Sequence, residues 1–329
     1  MDEKTQMFLT FLAFSLASLV VGYTARRRGI LKPEHSRSVH LHTVVWFWSP
    51  VALISFWRLP LGGEGTSTVL SLMGCQPLLM VTAAAIMALI IRPMRSLKPQ
   101  QKGVMILAAA ISNHGFTMGA YLCFALLEPA QTALDYGVVL VTSMQLFMVL
   151  LFYPVANRFG PTPAASITKL IFDSLVTIRA MPLYCALAGT TLNLAGTTTP
   201  QWINTYNVLD ILFFLGAGGS WAGIGLVLRL GDSLSSWRLH LVVAALQFVI
   251  HPILTIALIA AAEPLGFLPP IQDGLTHKVL IIEALTPTGL NTVMVSNMFH
   301  LDARLASVLW LWNTLIFCAV IVPLLLFFV

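Results

Sequence analysis

Two polar segments interrupt long apolar runs of this chain, and they hold the residues best suited to chemistry. The first is 112–115, Ser-Asn-His-Gly, and the second is 283–291, Glu-Ala-Leu-Thr-Pro-Thr-Gly-Leu-Asn. Gly115, Pro287 and Gly289 each disrupt a helix, because glycine admits other conformations and proline removes a backbone donor. We therefore expect a broken helix at each segment, with amide, carboxyl, hydroxyl and imidazole groups around the break.

A broken helix can bind ions at its two inner ends. The second half-helices would begin near 114–117 and 288–291, and a helix N-terminus attracts anions. The candidate residues for binding an anionic substrate are Asn113, His114, Thr117, Thr288 and Asn291, with Asn113 and Asn291 donating to the anion. The carbonyl groups that end the first half-helices could instead hold a cation, together with Ser112, Asn113, Glu283 and Thr286.

Glu283 is the residue that argues for a coupling ion. A charged group inside hydrocarbon costs at least ~2.5 kcal/mol unless it is paired or hydrated, so Glu283 requires a partner. As a carboxylate it could bind Na⁺, with Asn113 as a second ligand, and when protonated it could carry H⁺; the sequence leaves both open. No other metal and no cofactor is expected, because His35, His40 and His42 lack metal-binding spacing.

Further polar residues occur in other apolar stretches. Gln145 and Asn313 follow the two breaks at similar places and are additional candidates for substrate binding, although such residues also serve as ordinary contacts between helices. Gln247 and His251 are two further polar residues, in the stretch 239–262, and this histidine could carry a proton or be structural. The sequence shows no paired catalytic acids and no nucleophile with a base, so we do not expect an enzyme.

The composition shows what must position these residues. Of 329 residues, 57% are hydrophobic and 9% are charged, whereas a soluble domain has roughly 25% charged residues. This composition excludes a water-soluble globule and a disordered chain, and it predicts an all-α integral membrane protein in contact with the lipid bilayer. The net charge of +5 reflects topology and does not call for a nucleic-acid partner.

Apolar stretches long enough for helices divide the chain into two halves. The ten predicted stretches are 7–24, 43–61, 69–91, 104–127, 136–157, 181–195, 206–229, 239–262, 276–299 and 303–329. Five spans lie in each half, 1–158 and 181–329, and 159–180 joins the halves. Because five is odd, the second half enters the membrane from the opposite side, so the two halves would be inverted repeats. The break in span 4 lies as many residues after 7, where the first half's first span begins, as the break in span 9 lies after 181, where the second half's first span begins. The joint could contain a short amphipathic helix on the membrane surface or be a simple loop.

The distribution of basic residues predicts the orientation. Lys and Arg favour cytoplasmic loops. If the N-terminus of the ten-span chain lies on the non-cytoplasmic side, all Lys and Arg residues are cytoplasmic except Lys4, Arg58 and Lys278. Both termini then face the non-cytoplasmic side of the cytoplasmic membrane. The glycines between Gly216 and Gly225 in span 7 allow close packing of helices, or sliding if they face the other half of the bundle.

Four segments resemble the auxin efflux carrier family in its short prokaryotic form, within the wider group that contains bile acid/sodium symporters. They are Asn113-His-Gly-Phe-Thr-Met-Gly119, Arg179-Ala-Met-Pro182, the glycines Gly216 to Gly225, and the stretch from Glu283-Ala-Leu-Thr-Pro287 to Ser307. The short joint distinguishes the chain from the plant PIN-FORMED proteins, which have a long regulatory loop.

The resemblance implies an elevator-type transporter. Spans 1, 2, 6 and 7 would form a scaffold domain that could also form a homodimer, and the other spans a mobile core in which the broken helices cross. The implied substrates are small organic anions such as malonate-like or auxin-like carboxylates. The resemblance also implies Na⁺ at Asn113 and Glu283. The alternatives are a carrier of larger organic anions, similar to the bile acid symporters, and a membrane sensor that binds its ligand without transporting it.

Overall fold

The chain folds into helices that are long and apolar enough to cross a membrane. The computed structural model describes residues 3–61, 64–114, 118–161, 166–228, 237–268 and 274–328. Within these ranges the protein is helical, and its only β-type pairing is an isolated antiparallel bridge between Ser112 and Thr288. The α-helices are α1 Glu3–Arg27, α2 His35–Thr43, α3 Ser49–Arg58, α4 Glu64–Ile91, α5 Pro99–Ala110, α6 Gly119–Leu126, α7 Ala130–Phe147, α8 Tyr153–Phe159, α9 Ile167–Leu175, α10 Met181–Leu194, α11 Gln201–Thr205, α12 Val208–Val227, α13 Trp237–Ala245, α14 His251–Ala262, α15 Leu275–Ala284, α16 Leu290–Met298, α17 Ala303–Ile316 and α18 Val322–Phe328.

Seven uninterrupted helical segments in the described ranges meet the length and hydropathy of a membrane span: α1, α2–α3, α4, α7–α8, α12, α13–α14 and α17–α18. The predicted class, an all-α membrane protein, agrees with this arrangement. The predicted stretches 104–127 and 276–299 are each two short helices, α5 with α6 and α15 with α16. The stretch 181–195 is α10, which has 14 residues and is shorter than the roughly 20 that a span needs.

Four of the long segments contain a single π-helical turn in the part of the chain that the structure describes. The turns are Val44–Trp48, Met148–Phe152, Leu246–Ile250 and Phe317–Ile321. A proline lies at the second residue after each turn, namely Pro50, Pro154, Pro252 and Pro323. Proline lacks an N–H and clashes with the preceding turn, so a wider turn relieves the clash while the helix continues.

A helix does lie in the predicted joint. It is α9, which is amphipathic and has no buried residue. Ile167 and Phe172 are exposed on it, as expected for a helix whose apolar face rests on a membrane surface. A bend of 64° separates it from the helical segment that contains α10.

The first helix group consists of α1, α2–α3, α10 and α12. In it α1 packs along α12, α3 along α10 and α2 along α12. Glycines make these approaches close: Gly223 lies against His40, and Gly225 lies against the backbone of Leu19. The glycines of α12 therefore face α1 and α2 within their own group, which contradicts a sliding surface toward the rest of the bundle and identifies close packing as their role.

The second helix group consists of α4–α8 and α13–α18 and contains both broken helices. It meets the first group through an ion pair, Arg58 to Asp135 at 3.0 Å, and through aromatic packing. Phe11 of α1 stacks on Tyr121 of α6 with ring centroids 4.0 Å apart. Both helix breaks thus lie in the second helix group, which packs directly against the first helix group.

Candidate functional site

The two helix breaks meet each other inside the protein. The backbone N–H of Asn113 donates to the carbonyl of Pro287, and that of Gly289 donates to the carbonyl of Ile111, both at 2.6 Å. Pairing the two breaks satisfies backbone groups that lipid could not. Gly289 is required here, because a Cβ at this position would lie 2.7 Å from the carbonyl oxygen of Ser112. Gly115 and Thr117, also predicted to contribute, lie outside the described residues.

A small cavity lies beside this crossing, between the two helix groups. Its volume is about 60 Å³. From the second group it is lined by Ser112, Asn113, Val141, Met144, Gln145, Gly289, Leu290, Asn291 and Met294, and from the first by His40, Val44, Trp48 and Ser220. Five predicted site residues, Ser112, Asn113, Gln145, Gly289 and Asn291, are thus brought together.

The N-terminus of α16 forms part of the cavity wall. Gly289 precedes the helix, and Leu290 and Asn291 are its first residues. The first N–H groups of a helix have no partner within it and form the positive end of the helix dipole. Asn113, Gln145 and Asn291 line the same cavity, and amide groups beside a helix N-terminus are donors of the kind that bind a small anion.

Glu283 lies in a separate buried position and has the partner that its location requires. Its Oε2 is 3.1 Å from Nδ1 of His114, and Glu283 is 1% exposed. The carboxyl group lies directly against Gly119, the first residue of α6, and its Oε1 is 3.1 Å from where a Cβ would stand on Gly137. The positive end of α6 therefore faces Glu283 and not the cavity, and His114 pairs with Glu283 instead of lining the cavity.

Gln247 in the π turn of α13–α14 and His251, the first residue after that turn, extend this cluster to the crossing. His251 Nδ1 is 3.3 Å from Ser112 Oγ, and the rings of His114 and His251 have centroids 6.0 Å apart. Gln247 Nε2 donates to the carbonyl of Thr286 at 3.1 Å and also contacts Ser112 Oγ. Gln247 thus joins the two breaks, whereas the ring of His251 contacts residues of the first break.

Several polar atoms of this cluster are buried without a hydrogen-bond partner: Glu283 Oε1, His114 Nε2, His251 Nε2 and Gln247 Oε1. Buried polar groups are normally paired, so such atoms are free to hold a bound proton, ion or water. Among the described residues no three His, Cys, Asp or Glu side chains form a metal-binding set. A cation bound here would therefore rely on Glu283 with backbone and hydroxyl oxygens.

Three predicted residues use their side chains elsewhere. Thr286 Oγ1 donates to the carbonyl of Glu283 at 2.7 Å, and Thr288 Oγ1 donates to that of Ala108 at 3.2 Å. Asn313 donates to Leu309 within its own helix at 2.9 Å. Thr288 and Asn313 do not line the cavity. Thr288 instead ties the second break to α5.

Sequence reasoning missed the wall that the first helix group contributes. His40, Val44 and Trp48 are spaced by four residues, which places them on one helix face. That spacing was a usable signal, but it could not show which element the face meets. A scan against protein-family models and a search of curated proteins both give no match, so the geometry of the site carries the functional argument.

Proposed function

We propose that this protein is a secondary transporter of small organic anions that binds its substrate in the cavity beside the helix crossing. One observation carries this proposal: two broken helices meet in the membrane-embedded bundle, and a cavity with amide donors and a helix N-terminus lies beside them. Irregular backbone at membrane depth is tolerated where it is buried or lines a site, and paired broken helices are typical of substrate sites in transporters.

The proposal includes ten crossings arranged as two inverted repeats. On this reading α5–α6 and α15–α16 are equivalent broken spans, and α10 is a short sixth span. The final segments of the two halves, α7–α8 and α17–α18, agree with this equivalence because each contains a π turn followed by a proline. The same feature in α2–α3 and α13–α14 does not follow the repeat, because these segments are spans 2 and 8. Both termini then face the non-cytoplasmic side, as the distribution of basic residues predicts.

The size of the cavity favours a small substrate. At about 60 Å³ it is far below the roughly 300–1,000 Å³ of sites for drug-sized ligands. This supports compact carboxylates over the larger anions that a bile acid symporter-like carrier would take. The resemblance to auxin efflux carriers, noted from the sequence, agrees with carboxylate transport.

The cluster around Glu283 is the proposed site of the coupling ion. His114 Nδ1 lies 3.1 Å from Glu283 Oε2, and Oε1 has no partner. The pair could exchange a proton, or the carboxylate could hold Na⁺ with nearby oxygens. Ser112 lines the cavity and also contacts His251, so it links this cluster to the substrate.

The position of the cavity between the helix groups supports an elevator mechanism. In such a mechanism the second group would carry the substrate past the first. A membrane sensor is the competing proposal, because a ligand could bind in the same cavity without any movement of the helix groups.

The test is transport by the purified protein in liposomes. Mono- and dicarboxylates are applied with and without Na⁺ and with a pH gradient, and charge movement and radiolabelled uptake are measured. We expect saturable uptake that is lost in Asn113→Ala and Asn291→Ala and retained in Asn204→Ala, an exposed asparagine in α11. Absent uptake by the wild type, with a ligand that still raises the melting temperature, would favour the sensor.

A further inference from the structure

Trp48 is the largest side chain in the wall that the first helix group contributes to the cavity. It is the last residue of the π turn Val44–Trp48, is 5% exposed and lines the cavity together with Ser220 of α12. Asn113 and Asn291 line the same cavity from the second group, beside the N-terminus of α16. A substrate held between the groups would therefore have amide donors on one side and an aromatic residue on the other.

The indole ring of Trp48 is fixed by three contacts with α12. Its Nε1 donates to Oγ of Ser220 at 3.3 Å, and the ring meets that of Phe213 edge-on with centroids 5.8 Å apart. Its six-membered part packs so closely on Gly216 that a Cβ there would lie 2.5 Å from Cη2. Because protein interiors are close-packed, the ring has no room to retreat toward α12 when a ligand presses on it.

The ring stands at the boundary between the cavity and α12. Trp48 and Ser220 are hydrogen-bonded to each other through their side chains, and both residues line the cavity. Much of the remaining lining is apolar, and it consists of Val44, Val141, Met144, Leu290 and Met294. Such a lining suits the hydrocarbon part of a ligand whose polar group is held by a few donors.

We propose that Trp48 sets the length of the carboxylate that the cavity accepts. The inference rests on the proposed function and deepens it, because it names short unbranched acids as the substrate class. The carboxylate binds at Asn113, Asn291 and the N-terminus of α16, and the far end of the acid abuts the indole ring across the cavity. A longer acid, or one that carries an aromatic ring, meets a wall that α12 holds in place.

Two series of unbranched acids test this proposal, from acetate to octanoate and from malonate to suberate, with phenylacetate as an aromatic acid. Uptake of each acid into liposomes is measured. We expect wild-type uptake to fall at least tenfold at the first acid too long for the cavity, because one methylene in a pocket changes discrimination by about 10–200-fold. In Trp48→Ala the fall should occur at an acid at least two carbons longer, and phenylacetate should become a substrate. Trp48→Phe, which keeps a smaller ring, should shift the limit by less.

The matched control is Trp46→Ala, because Trp46 belongs to the same π turn and is 65% exposed. It should keep the wild-type limit. A gain of longer substrates cannot result from general damage to the fold, and Trp48→Phe carries the test if Trp48→Ala does not fold. An unchanged limit in the Trp48 variants that fold, or wild-type uptake of short and long acids alike, would overturn the role of Trp48 and leave the transporter intact. Failure of the wild type to take up any acid of either series would overturn the proposed function instead.

Discussion

The pair formed by Glu283 and His114 explains how a carboxyl group is accommodated in the apolar bundle. Both side chains are buried, and their atoms are 3.1 Å apart. The first turn of α6 lies against the carboxyl group and adds the positive end of a helix dipole. An imidazole and a helix end thus replace the water that a carboxylate would otherwise require.

Glu283→Gln should separate substrate binding from coupling. Glutamine keeps the shape and can still accept a hydrogen bond from His114, but it can neither bind a proton nor attract Na⁺. We expect substrate to raise the melting temperature as in the wild type, and ion-driven uptake to fall at least tenfold. Glu34→Gln, an exposed carboxyl outside the cluster, is the control. Wild-type uptake with unchanged ion dependence in Glu283→Gln would exclude Glu283 from coupling.

The need for a partner at Glu283 followed from the sequence, but the identity of that partner did not. His114 is adjacent to Asn113, and both belong to the first break, so both were assigned to the substrate. Only the crossing of the chain brings His114 to a residue in the other half. Asn113 and Asn291, which lie at the breaks, do line the cavity, and so does Gln145 of α7.

At the scale of elements, the crossing depends on a glycine at the start of α16. In Gly289→Ala the new Cβ would meet the backbone oxygen of Ser112 at 2.7 Å, and a backbone atom cannot move aside cheaply. We expect a loss of about 1–3 kcal/mol in stability, as for overpacked cores, seen as a lower melting temperature in detergent.

Gly74→Ala is the matched comparison for this substitution. Gly74 lies within α4, and a Cβ there would meet nothing within 4 Å. Alanine favours a helix interior over glycine by roughly 0.5–1 kcal/mol, so this variant should be neutral or stabilised. A similar loss in both variants would show that the crossing does not set the requirement for glycine.

The ion pair between α3 and α7 joins the two helix groups. Arg58 and Asp135 are 3.0 Å apart, with side chains 10% and 5% exposed. Arg58 is also one of the few basic residues predicted on the non-cytoplasmic side, and its pairing with Asp135 gives a physical reason for that position.

A double-mutant cycle should measure this link. Removing one partner of a buried pair costs about 3–5 kcal/mol, because the other charge is left unpaired. We expect Arg58→Met and Asp135→Leu each to lower the melting temperature strongly and the double variant to recover most of the loss. Strictly additive effects would mean that the two residues are not coupled.

The elements themselves were only partly predictable. The long apolar stretches and the two breaks were correct because hydropathy and Pro or Gly content report them directly. The predicted stretch 181–195 agrees with α10, Met181–Leu194, within one residue, whereas the 64° bend between α9 and the segment that contains α10 was not predicted. The division into helix groups reflects packing between distant segments, which a single sequence does not encode in any local pattern.

At the scale of the whole molecule, the proposed topology fixes which side of the membrane each segment faces. Small epitopes placed at either terminus should be labelled from outside intact cells, and an epitope inserted between 161 and 166 only after permeabilisation. The physical reason is that basic loops remain cytoplasmic. Labelling of the two termini from opposite sides would exclude the inverted five-plus-five arrangement.

The π turns have a consequence for how the chain tolerates insertions and deletions. Each such turn holds one residue more than an α-helical turn, and one residue corresponds to about 100° of rotation around a helix. Val44 and Trp48, at the two ends of the first π turn, both line the cavity. Deleting one residue from this turn should rotate the preceding part of the helix, and His40 with it, away from the cavity while leaving the helix continuous. The register at Val44–Trp48 thus sets the face that the first helix group presents to the cavity.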